Sequence, residues 1–360
     1  MLIHHITPEW INLIVARDGR SRLAPCVEIH IEPIPNERVQ VHRLSLRYAD
    51  GSGERPATLI LKTPVGPPLP GGGPSSHDAG AREAYFFRHL ADASEGWTSR
   101  CFAVDTDTDS GTSVLLLEDL SARGMRQGNR VAGIRRGEAE AVLRRLASFH
   151  ASQWNQTASP SQREVRELSE RVSTASEAAV REYYRAAWPA VEACGIYAQP
   201  PEVARYGRAL MDDPMGSQRH LAHRPQTILH GDVHTENIFY DDASEPLGFA
   251  LIDWEDLTVG NALVDVAWLM TTSVHTQDVT WEPDLLRTYY DALRACGVLD
   301  YRWDDCLSDY RWAIANVFVQ GVLNSSVEAT APAHEVEVER ELGQRFILAC
   351  QRSRLWDLDD

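Results

Sequence analysis

The sequence predicts an α+β fold with a small N-terminal part, built on an antiparallel sheet and one key helix, and a larger, mainly helical C-terminal part. Residues 27–34 and 39–48 alternate between apolar and polar, and a mostly apolar run at 58–61 follows, as in half-buried strands. From residue 137 onward, apolar residues recur mainly at helical spacing. The chain has 360 residues, which is enough for two lobes or two domains.

The composition limits the partners and the compartment. A formal charge of −17 argues against a nucleic-acid partner, because its phosphates would be repelled. The six cysteines are scattered without a Cys-x-x-Cys pair, which is typical of buried thiols in a reducing cytosol. The N-terminus lacks the basic and apolar regions of a signal peptide, and no apolar run reaches the length of a membrane span. We therefore expect a cytoplasmic protein that binds neither nucleic acid nor membrane.

Local signals predict the first elements. Thr7 can cap a helix that ends near Arg17, before Gly19. The alternation in the second strand shifts its phase at His42-Arg43, which predicts a β-bulge. Helical patterns in the C-terminal part occupy residues 137–154, 169–193 and 203–211, and most of the chain from 277 onward.

Three polar residues in the stretch 228–256 predict a site for magnesium and phosphate. A His-Gly-Asp turn ends at Asp232, Asn237 follows five residues later, and Asp253 comes directly after a short strand. Each alone would be an ordinary turn residue. Together they repeat the order of phosphoryl-transfer sites, in which a catalytic Asp precedes a metal-binding Asn by five residues and a second metal-binding Asp ends a later strand. Carboxylate and amide oxygens are the ligands that magnesium prefers.

A lysine at the end of the third predicted strand fits the same template. Lys62 would ordinarily be a solvated strand end, but in the template this lysine holds the nucleotide phosphates. Residues 64–80 are rich in proline and glycine and predict a mobile loop, and a helix is predicted at 81–90. Glu83 in this helix is the expected ion-pair partner of Lys62. The alternative is that Glu83 only favours the helix dipole.

The central stretch resembles the signature of the aminoglycoside phosphotransferase and choline kinase superfamily, small-molecule kinases with a protein-kinase-like fold. The resemblance rests on His-Gly-Asp-x-His-x-x-Asn from His230 to Asn237, followed by Ile252-Asp253-Trp254. Weaker stretches over nearly the whole chain resemble its ecdysteroid-kinase-like (CHK kinase-like) branch. They are Thr7-Pro8-Glu9-Trp10, Arg82-Glu83-Ala84-Tyr85-Phe86, Leu115-Leu116-Leu117-Glu118-Asp119-Leu120, Leu146-Ala147-Ser148-Phe149-His150-Ala151 and Tyr289-Tyr290-Asp291-Ala292-Leu293 before Gly297-Val298.

The resemblance implies a bilobal protein-kinase-like fold. It places an N-terminal nucleotide-binding lobe at 1–117, a hinge at 118–122 and a C-terminal catalytic and acceptor-binding lobe at 123–360. Because the main chain of such a hinge binds adenine, it implies the Glu118 carbonyl and the Leu120 amide as contacts to ATP.

Several polar residues outside this set admit structural explanations. Asp265 begins a predicted helix, where it is interpreted as a cap that can brace the catalytic loop. His150 is interpreted as a core histidine, and His234 as a residue that stabilises the loop. Glu255 and Asp256 could meet a cationic substrate or form a solvated turn. Four tryptophans could line an apolar pocket, although the core is favoured for most of them: Trp154, Trp268, Trp281 and Trp312.

The predicted function is an ATP-dependent phosphotransferase that moves the γ-phosphate of ATP to a hydroxyl of a small molecule. Asp232 is the expected base, Asn237 and Asp253 hold Mg²⁺, and Lys62, positioned by Glu83, holds the α/β-phosphates. A bulky apolar alcohol such as a steroid, an amino sugar and an amino alcohol all remain open as acceptors.

One departure from the family pattern supports an alternative function. The loop at 34–38, Ile-Pro-Asn-Glu-Arg, lacks the glycines that let backbone amides approach phosphate. The alternative is therefore a catalytically silent nucleotide-binding protein or scaffold.

Overall fold

The computed structural model describes residues 6–35, 39–50, 52–64, 76–91, 96–106, 113–172, 176–193, 200–325 and 333–358. The chain forms two compact units. The first consists of Met1–Arg126, Glu164–Thr174 and Phe239–Leu257, and the second of Gln127–Arg163, Ala175–Ile238 and Thr258–Asp360. Each unit thus joins segments that are distant in sequence. The division into continuous lobes at 1–117 and 123–360 stays a prediction.

The first unit contains an antiparallel sheet of five strands in the order β1-β2-β3-β5-β4. The strands are β1 (Cys26–Ile34), β2 (Val39–Tyr48), β3 (Thr58–Pro64), β4 (Cys101–Thr106) and β5 (Ser113–Glu118). The antiparallel sheet predicted from the sequence is confirmed. Strand β4 was not predicted, because its three central residues, Phe102, Ala103 and Val104, are all buried and give no alternation.

The bulge predicted at His42-Arg43 is wrong. Both residues are paired in unbroken register with β1 and with β3, and the register shift of this pair of strands lies instead between Cys26 and Glu28. His42 is 4% exposed and lies on the same side of β2 as the fully buried Leu44. Because His42 is polar but lies on the buried side of the strand, the alternation of apolar and polar residues is interrupted although the register is not.

Two helices complete the N-terminal part of the first unit. Helix α1 (Pro8–Asp18) begins and ends as predicted: the amide of Trp10 donates to Thr7 Oγ1 at 3.2 Å, and Gly19 follows in a left-handed conformation. Helix α2 (Ser76–His89) begins five residues before the predicted start, so the predicted loop is too long at this end. Residues 65–75 of that loop lie outside the described residues.

The core of the first unit lies between α1 and the sheet. It is formed by apolar side chains of α1 and of one face of the sheet, among them Ile11, Ile14, Leu44, Leu59, Leu61, Phe102 and Leu116. Leu59 and Leu61 are fully buried on this face. Because side chains alternate along a strand, Lys62 projects from the opposite face of the sheet.

Short strands carry the central stretch. They are β6 (Arg126–Gln127), β7 (Thr227–Leu229), β8 (Ile238–Asp241), β9 (Gly248–Leu251) and β10 (Thr258–Gly260), arranged as a sheet β6-β8-β9 and a pair β10-β7. The short strand predicted before Asp253 is present as β9. Asp232 and Asn237 lie between β7 and β8, and Asp253 lies after β9.

The rest of the chain is mainly helical, as predicted. The helices are α3 (Arg136–Ser152), α4 (Pro160–Val172), α5 (Glu177–Ala193), α6 (Pro201–Ala209), α7 (Gly216–Ala222), α8 (Leu263–Ser273), α9 (Glu282–Ala295), α10 (Trp303–Asn324) and α11 (Ala333–Ser353). The region predicted at 169–193 is two helices, α4 and α5, and α4 begins before it. Within the second unit, α10 packs against α7, α8 and α11, and α3 packs against α9. In the part of the chain that the structure describes, no helix has both the length and the apolar character needed to cross a membrane.

Candidate active site

Lys62 is the centre of a charged cluster in the first unit. Its Nζ lies 2.6 Å from Glu83 Oε2, contacts Asp253 Oδ1 and lies 3.5 Å from Glu255 Oε2. The ion pair predicted between Lys62 and Glu83 is therefore confirmed. The Lys62 side chain is 12% exposed and that of Glu83 is 2% exposed, so this ion pair is largely withdrawn from water.

Helix α2 ties Glu83 to the segment after β9. Glu83 lies in the middle of α2, so the alternative that it only favours the helix dipole does not apply. Glu83 Oε1 also accepts a hydrogen bond from the Trp254 amide at 3.3 Å. The fully buried Trp254 indole stacks on Phe86 of α2, with ring centroids 3.6 Å apart and an interplanar angle of 7°. These contacts fix the backbone next to Asp253.

Asp253 has a backbone conformation that residues other than glycine rarely adopt. Its φ is 68° and its ψ is 63°, in the left-handed region. Such a conformation costs free energy and persists where the surrounding contacts enforce it. Here the buried Trp254 on one side and the ion pair with Lys62 on the other hold the Asp253 carboxylate in place.

The burial and the charges around Lys62 shift the pKa values of Lys62, Glu83 and Glu255. Burial alone would lower the pKa of Lys62, but the carboxylates of Asp253, Glu83 and Glu255 raise it well above its usual value. Lys62 therefore stays protonated. Burial, aided by neighbouring carboxylates and opposed by Lys62, raises the pKa of Glu255 to about 7.

The solvated turn expected from the sequence is wrong for Glu255, and the contact of Glu255 and Asp256 with a cationic substrate stays a prediction. Glu255 is buried beside Lys62, so it is part of the charged cluster and not of a solvated turn. Asp256 Oδ1 accepts a hydrogen bond from Arg82 Nη2 of α2 at 3.0 Å, so its charge is already paired within the first unit.

Asp232 lies in a tight loop of the second unit. Gly231 before it has φ 90°, a conformation that favours glycine. Trp268 Nε1 donates to Asp232 Oδ1 at 2.8 Å. Asn237 Nδ2 donates to the Asp232 carbonyl oxygen at 3.0 Å and to Oδ2 at 3.3 Å. Five residues of separation thus bring Asp232 and Asn237 into direct contact, as the sequence predicted.

The surroundings of Asp232 favour its ionised form. Burial alone would raise its pKa. A hydrogen bond from His234, whose Nε2 lies 3.3 Å from Asp232 Oδ2, and the electrostatic influence of His234, His230 and Arg130 outweigh burial and lower the pKa of this carboxyl well below its usual range. Asp232 is therefore a carboxylate at neutral pH, as a proton acceptor must be.

Helix α8 braces this loop through Asp265. The helix begins at Leu263, so Asp265 lies in its first turn and is not its cap. The fully buried Asp265 carboxylate accepts the amides of His230 at 2.8 Å and Gly231 at 2.9 Å. The predicted bracing role is confirmed, whereas the predicted capping role is wrong. His150, which lies 3.3 Å from Asp265 and 2.9 Å from the Tyr289 hydroxyl, is the core histidine that was expected.

A second brace, formed by residues 127–130, was not predicted from the sequence. Gln127 Nε2 donates to the Glu236 carbonyl at 2.8 Å, and the Gly128 amide donates to the Ile238 carbonyl at 2.9 Å. Arg130 Nη2 lies 2.7 Å from His234 Nε2. The only sequence signal was a glycine in a polar run, which does not identify a partner a hundred residues away.

The predicted hinge residues lie at the end of β5. Glu118 is the last residue of β5, and its amide donates to the Arg100 carbonyl at 2.8 Å. Leu120 is buried, and its carbonyl accepts the amides of Arg123 and Met125, both at 3.2 Å. Their contacts to adenine stay a prediction.

The oxygen atoms of Asp253 and Asn237 fit magnesium. Both amide hydrogens of Asn237 are directed to Asp232, which leaves its Oδ1 as an acceptor to which no described residue donates. Asp253 retains a second carboxylate oxygen besides the one that contacts Lys62. Both are hard oxygen ligands of the kind that magnesium prefers. The structure thus brings Lys62, Glu83 and Asp253 together in the first unit, and Asp232 and Asn237 together in the second.

Three of the solved structures to which this chain is similar are named as kinases or phosphotransferases. Plasmodium vivax ethanolamine kinase has a TM-score of 0.53 and 12% identity, covering 89% of this chain and 82% of its own. Choline kinase from Cryptosporidium parvum Iowa II also has a TM-score of 0.53, with 9% identity and coverage of 92% and 94%. An aminoglycoside-3'-phosphotransferase of type VIII has a TM-score of 0.44, 17% identity and coverage of 79% and 93%. The first two confirm the protein-kinase-like α+β fold.

The family follows from the sequence match. The ecdysteroid kinase-like family matches residues 39–299, well over half of the chain. The chain therefore belongs to the ecdysteroid kinase-like family, as its motifs indicated. No match was found among curated proteins.

Proposed function

We propose that the protein is an ATP-dependent phosphotransferase that transfers the γ-phosphate of ATP to a hydroxyl group of a small molecule. The observation that supports it best is the buried Lys62, held between Glu83 and Asp253 in a member of the ecdysteroid kinase-like family. A lysine paired with a helix carboxylate is the arrangement that kinases use to hold nucleotide phosphates.

The first unit would supply the contacts to the nucleotide. Lys62, permanently charged and fixed by Glu83, is suited to hold the α/β-phosphates. The main chain at Glu118 and Leu120 is the proposed contact to adenine. Asp253 is the proposed carboxylate ligand of magnesium, which would neutralise the developing charge on the phosphates when bound.

The second unit would supply the contact to the hydroxyl. Asp232, kept ionised by its neighbours, is the proposed acceptor of the hydroxyl proton, and it also orients the attacking oxygen. Asn237, aligned by Asp232, is the proposed amide ligand of magnesium. Because the transition state of phosphoryl transfer is loose, most of the rate would come from positioning and charge neutralisation.

The proposed acceptor is a small-molecule alcohol, amino alcohol or amino sugar. Among the proteins of similar fold, the ethanolamine kinase and the choline kinase are named for amino alcohols. Their low sequence identity to this chain means that the acceptor class must be found by experiment.

The proposal is tested by measuring ADP release with Mg²⁺ and ATP against a panel of alcohols, amino sugars and sterols. We expect one acceptor class to stimulate ADP release. Asp232→Ala should lower kcat with that class by about 10²–10⁴-fold, the usual contribution of a positioned base. Asp284→Ala, which removes a carboxylate that is 66% exposed, is the matched control and should retain activity.

Two outcomes would contradict the proposal. Near-normal turnover in Asp232→Ala would mean that Asp232 is not the base. No turnover with any acceptor, together with no binding of ATP, would favour the silent scaffold that the glycine-free loop suggests. Residues 36–38 of that loop lie outside the described residues.

A further inference from the structure

The Asp232 carboxylate has an unusual hydrogen-bond donor, the indole of Trp268. Trp268 Nε1 donates to Asp232 Oδ1 at 2.8 Å, which is the shortest of the side-chain hydrogen bonds described for this carboxylate. An indole N–H is a donor and never an acceptor. It can therefore stabilise the ionised carboxylate, and it offers nothing to the O–H of a protonated one.

Helix α8 holds Trp268 and the loop in one rigid relationship. Asp265 precedes Trp268 by three residues, so both side chains lie on the same face of the helix. Asp265 binds the loop backbone at His230 and Gly231, one and two residues before Asp232. One helix face therefore fixes both the backbone that leads to Asp232 and the side chain of Asp232.

A third contact, between Ser273 and Thr235, joins α8 to the loop that carries Asp232. Ser273, at the end of α8, accepts the Thr235 amide on its Oγ at 3.0 Å. The loop is thus bound to α8 both before and after Asp232. Movement of Asp232 relative to Trp268 would have to break these backbone contacts as well.

The Trp268 ring is partly exposed, in contrast to the core position expected for most tryptophans. Its edge meets Phe346 of α11, with ring centroids 6.4 Å apart and an interplanar angle of 68°. A tryptophan that served only to fill the core would be buried, and its N–H would need no particular acceptor. Here the accessible ring and the aligned N–H point to a role at Asp232.

We propose that Trp268 is a positioning residue for phosphoryl transfer, whose indole N–H fixes the orientation of the Asp232 carboxylate. This inference rests on the proposed function, in which Asp232 receives the hydroxyl proton. With Oδ1 bound to the indole, the carboxylate cannot rotate freely, and Oδ2 keeps a constant direction next to Asn237.

The kinetic test is Trp268→Phe, which keeps an aromatic ring against Phe346 and removes the N–H. We expect kcat to fall about tenfold or more, the loss that corresponds to a hydrogen bond to a charged group, while KM for ATP stays unchanged. Trp312→Phe is the matched control, since Trp312 stacks on His220 and not on the loop, and it should leave both constants unchanged. An unchanged kcat in Trp268→Phe, or an equal fall in the control, would overturn the proposal.

A second measurement keeps the proposal testable if Trp268→Phe folds poorly. The ten tryptophans give indole N–H signals in an NMR spectrum of protein labelled with ¹⁵N-tryptophan. In Asp232→Asn the signal of Trp268 should move more than any other, because its acceptor loses its charge. If the signals that move belong to other tryptophans, or if none moves, the hydrogen bond does not exist in solution.

The two measurements also separate this inference from the proposed function. A protein without any kinase activity whose Trp268 signal responds to Asp232→Asn would refute the proposed function and leave the hydrogen bond intact. A protein in which Asp232→Ala lowers kcat as expected and Trp268→Phe leaves kcat unchanged would refute only the role of Trp268.

Discussion

Lys62 faces more negative charge than it can neutralise. Three carboxylates, those of Glu83, Asp253 and Glu255, lie within 3.5 Å of its Nζ. In a largely buried place such a surplus is unfavourable unless further positive charge arrives. A magnesium ion bound together with a nucleotide would bring that positive charge to Asp253, and Lys62 could then turn to the phosphates. We therefore regard the cluster as a site built for ligand binding more than for stability.

Removal of Lys62 should lower both the stability of the protein and its kinase activity, and a second substitution should separate these two effects. We expect Lys62→Met to lower the free energy of unfolding by about 3–5 kcal/mol, because it leaves buried carboxylates without a cation. Adding Glu83→Gln should restore part of this stability and none of the kinase activity. Chemical denaturation and ADP release measure the two effects.

Arg136→Met is the control for this pair of variants. Arg136 also contacts two carboxylates, those of Glu140 and Asp284, but its side chain is 44% exposed. Its removal should change the free energy of unfolding little, because water screens an exposed ion pair. If Lys62→Met lowers the free energy of unfolding no more than Arg136→Met does, the carboxylates around Lys62 do not form an unfavourable surplus of buried charge.

At the scale of elements, the loop around Asp232 is held from two directions. Helix α8 binds it through Asp265, Trp268 and Ser273. The segment 127–130 binds it from its other end, at Glu236 and Ile238. Preorganisation of this kind is what a reaction that depends on positioning requires.

Gly128 sets how closely the segment 127–130 approaches the loop. A Cβ atom at Gly128 would lie 2.0 Å from the Thr235 carbonyl oxygen and 2.2 Å from its Oγ1. We expect Gly128→Ala to displace Thr235 and with it Asn237, to lower kcat by about ten- to a hundredfold, and to cost about 1–3 kcal/mol of stability. Steady-state kinetics and thermal unfolding provide both numbers.

Gly137→Ala is the matched control, because a Cβ at Gly137 in α3 would meet no atom within 4 Å. Alanine in a helix is more favourable than glycine, so this variant should be neutral or slightly more stable. Equal kinetic constants in both variants would show that the loop tolerates the displacement.

The sequence predicted those parts of the site that lie close together along the chain or follow a known template. Asp232 and Asn237 are five residues apart, and Lys62 and Glu83 follow the order of the kinase template. Trp268 and Gly128 were not predicted to contact the loop, since their partners are 36 and 107 residues away in sequence. The sequence alone does not show which distant residue a side chain will contact in the folded protein.

The same limit applies to the elements. Capping residues predicted α1, an apolar run predicted β3, and the alternation of apolar and polar residues predicted β1 and β2. Alternation failed at β4, whose centre is buried on both faces, and at His42, a polar residue in a core position. Both exceptions depend on tertiary packing, which the local pattern does not contain.

At the scale of the whole molecule, the chain crosses between its two units several times. The segment Phe239–Leu257 carries Asp253 and belongs to the unit of Lys62, although only Ile238 separates it from Asn237, which belongs to the other unit. Closeness in sequence therefore does not by itself place two residues in one cluster, as Asn237 and Asp253 show.

Binding of nucleotide should stabilise the protein in a magnesium-dependent manner. Mg²⁺ with ATP at about a hundredfold excess over Kd should add about 2.7 kcal/mol to the stability of the protein. ATP without Mg²⁺ should add less, because Asp253 would then face the phosphates without an intervening cation. Thermal unfolding with each combination of ligands measures this difference.

Asp253→Ala should remove the magnesium-dependent part of this stabilisation. The control is Asp242→Ala, which changes a carboxylate of the same unit that is 46% exposed and paired with Arg126 at the surface. A magnesium-dependent shift that survives in Asp253→Ala would show that another residue is the principal ligand.

The most direct test of the central claim is to identify the phosphorylated product. Phosphorus NMR of the reaction with the acceptor that stimulates ADP release should show a new phosphate monoester on its hydroxyl group with the wild-type protein. With Asp232→Asn we expect no such signal, although Mg²⁺ and ATP still bind. Release of inorganic phosphate alone, or an equal yield of the monoester with Asp232→Asn, would contradict the assignment of a small-molecule kinase that works through Asp232.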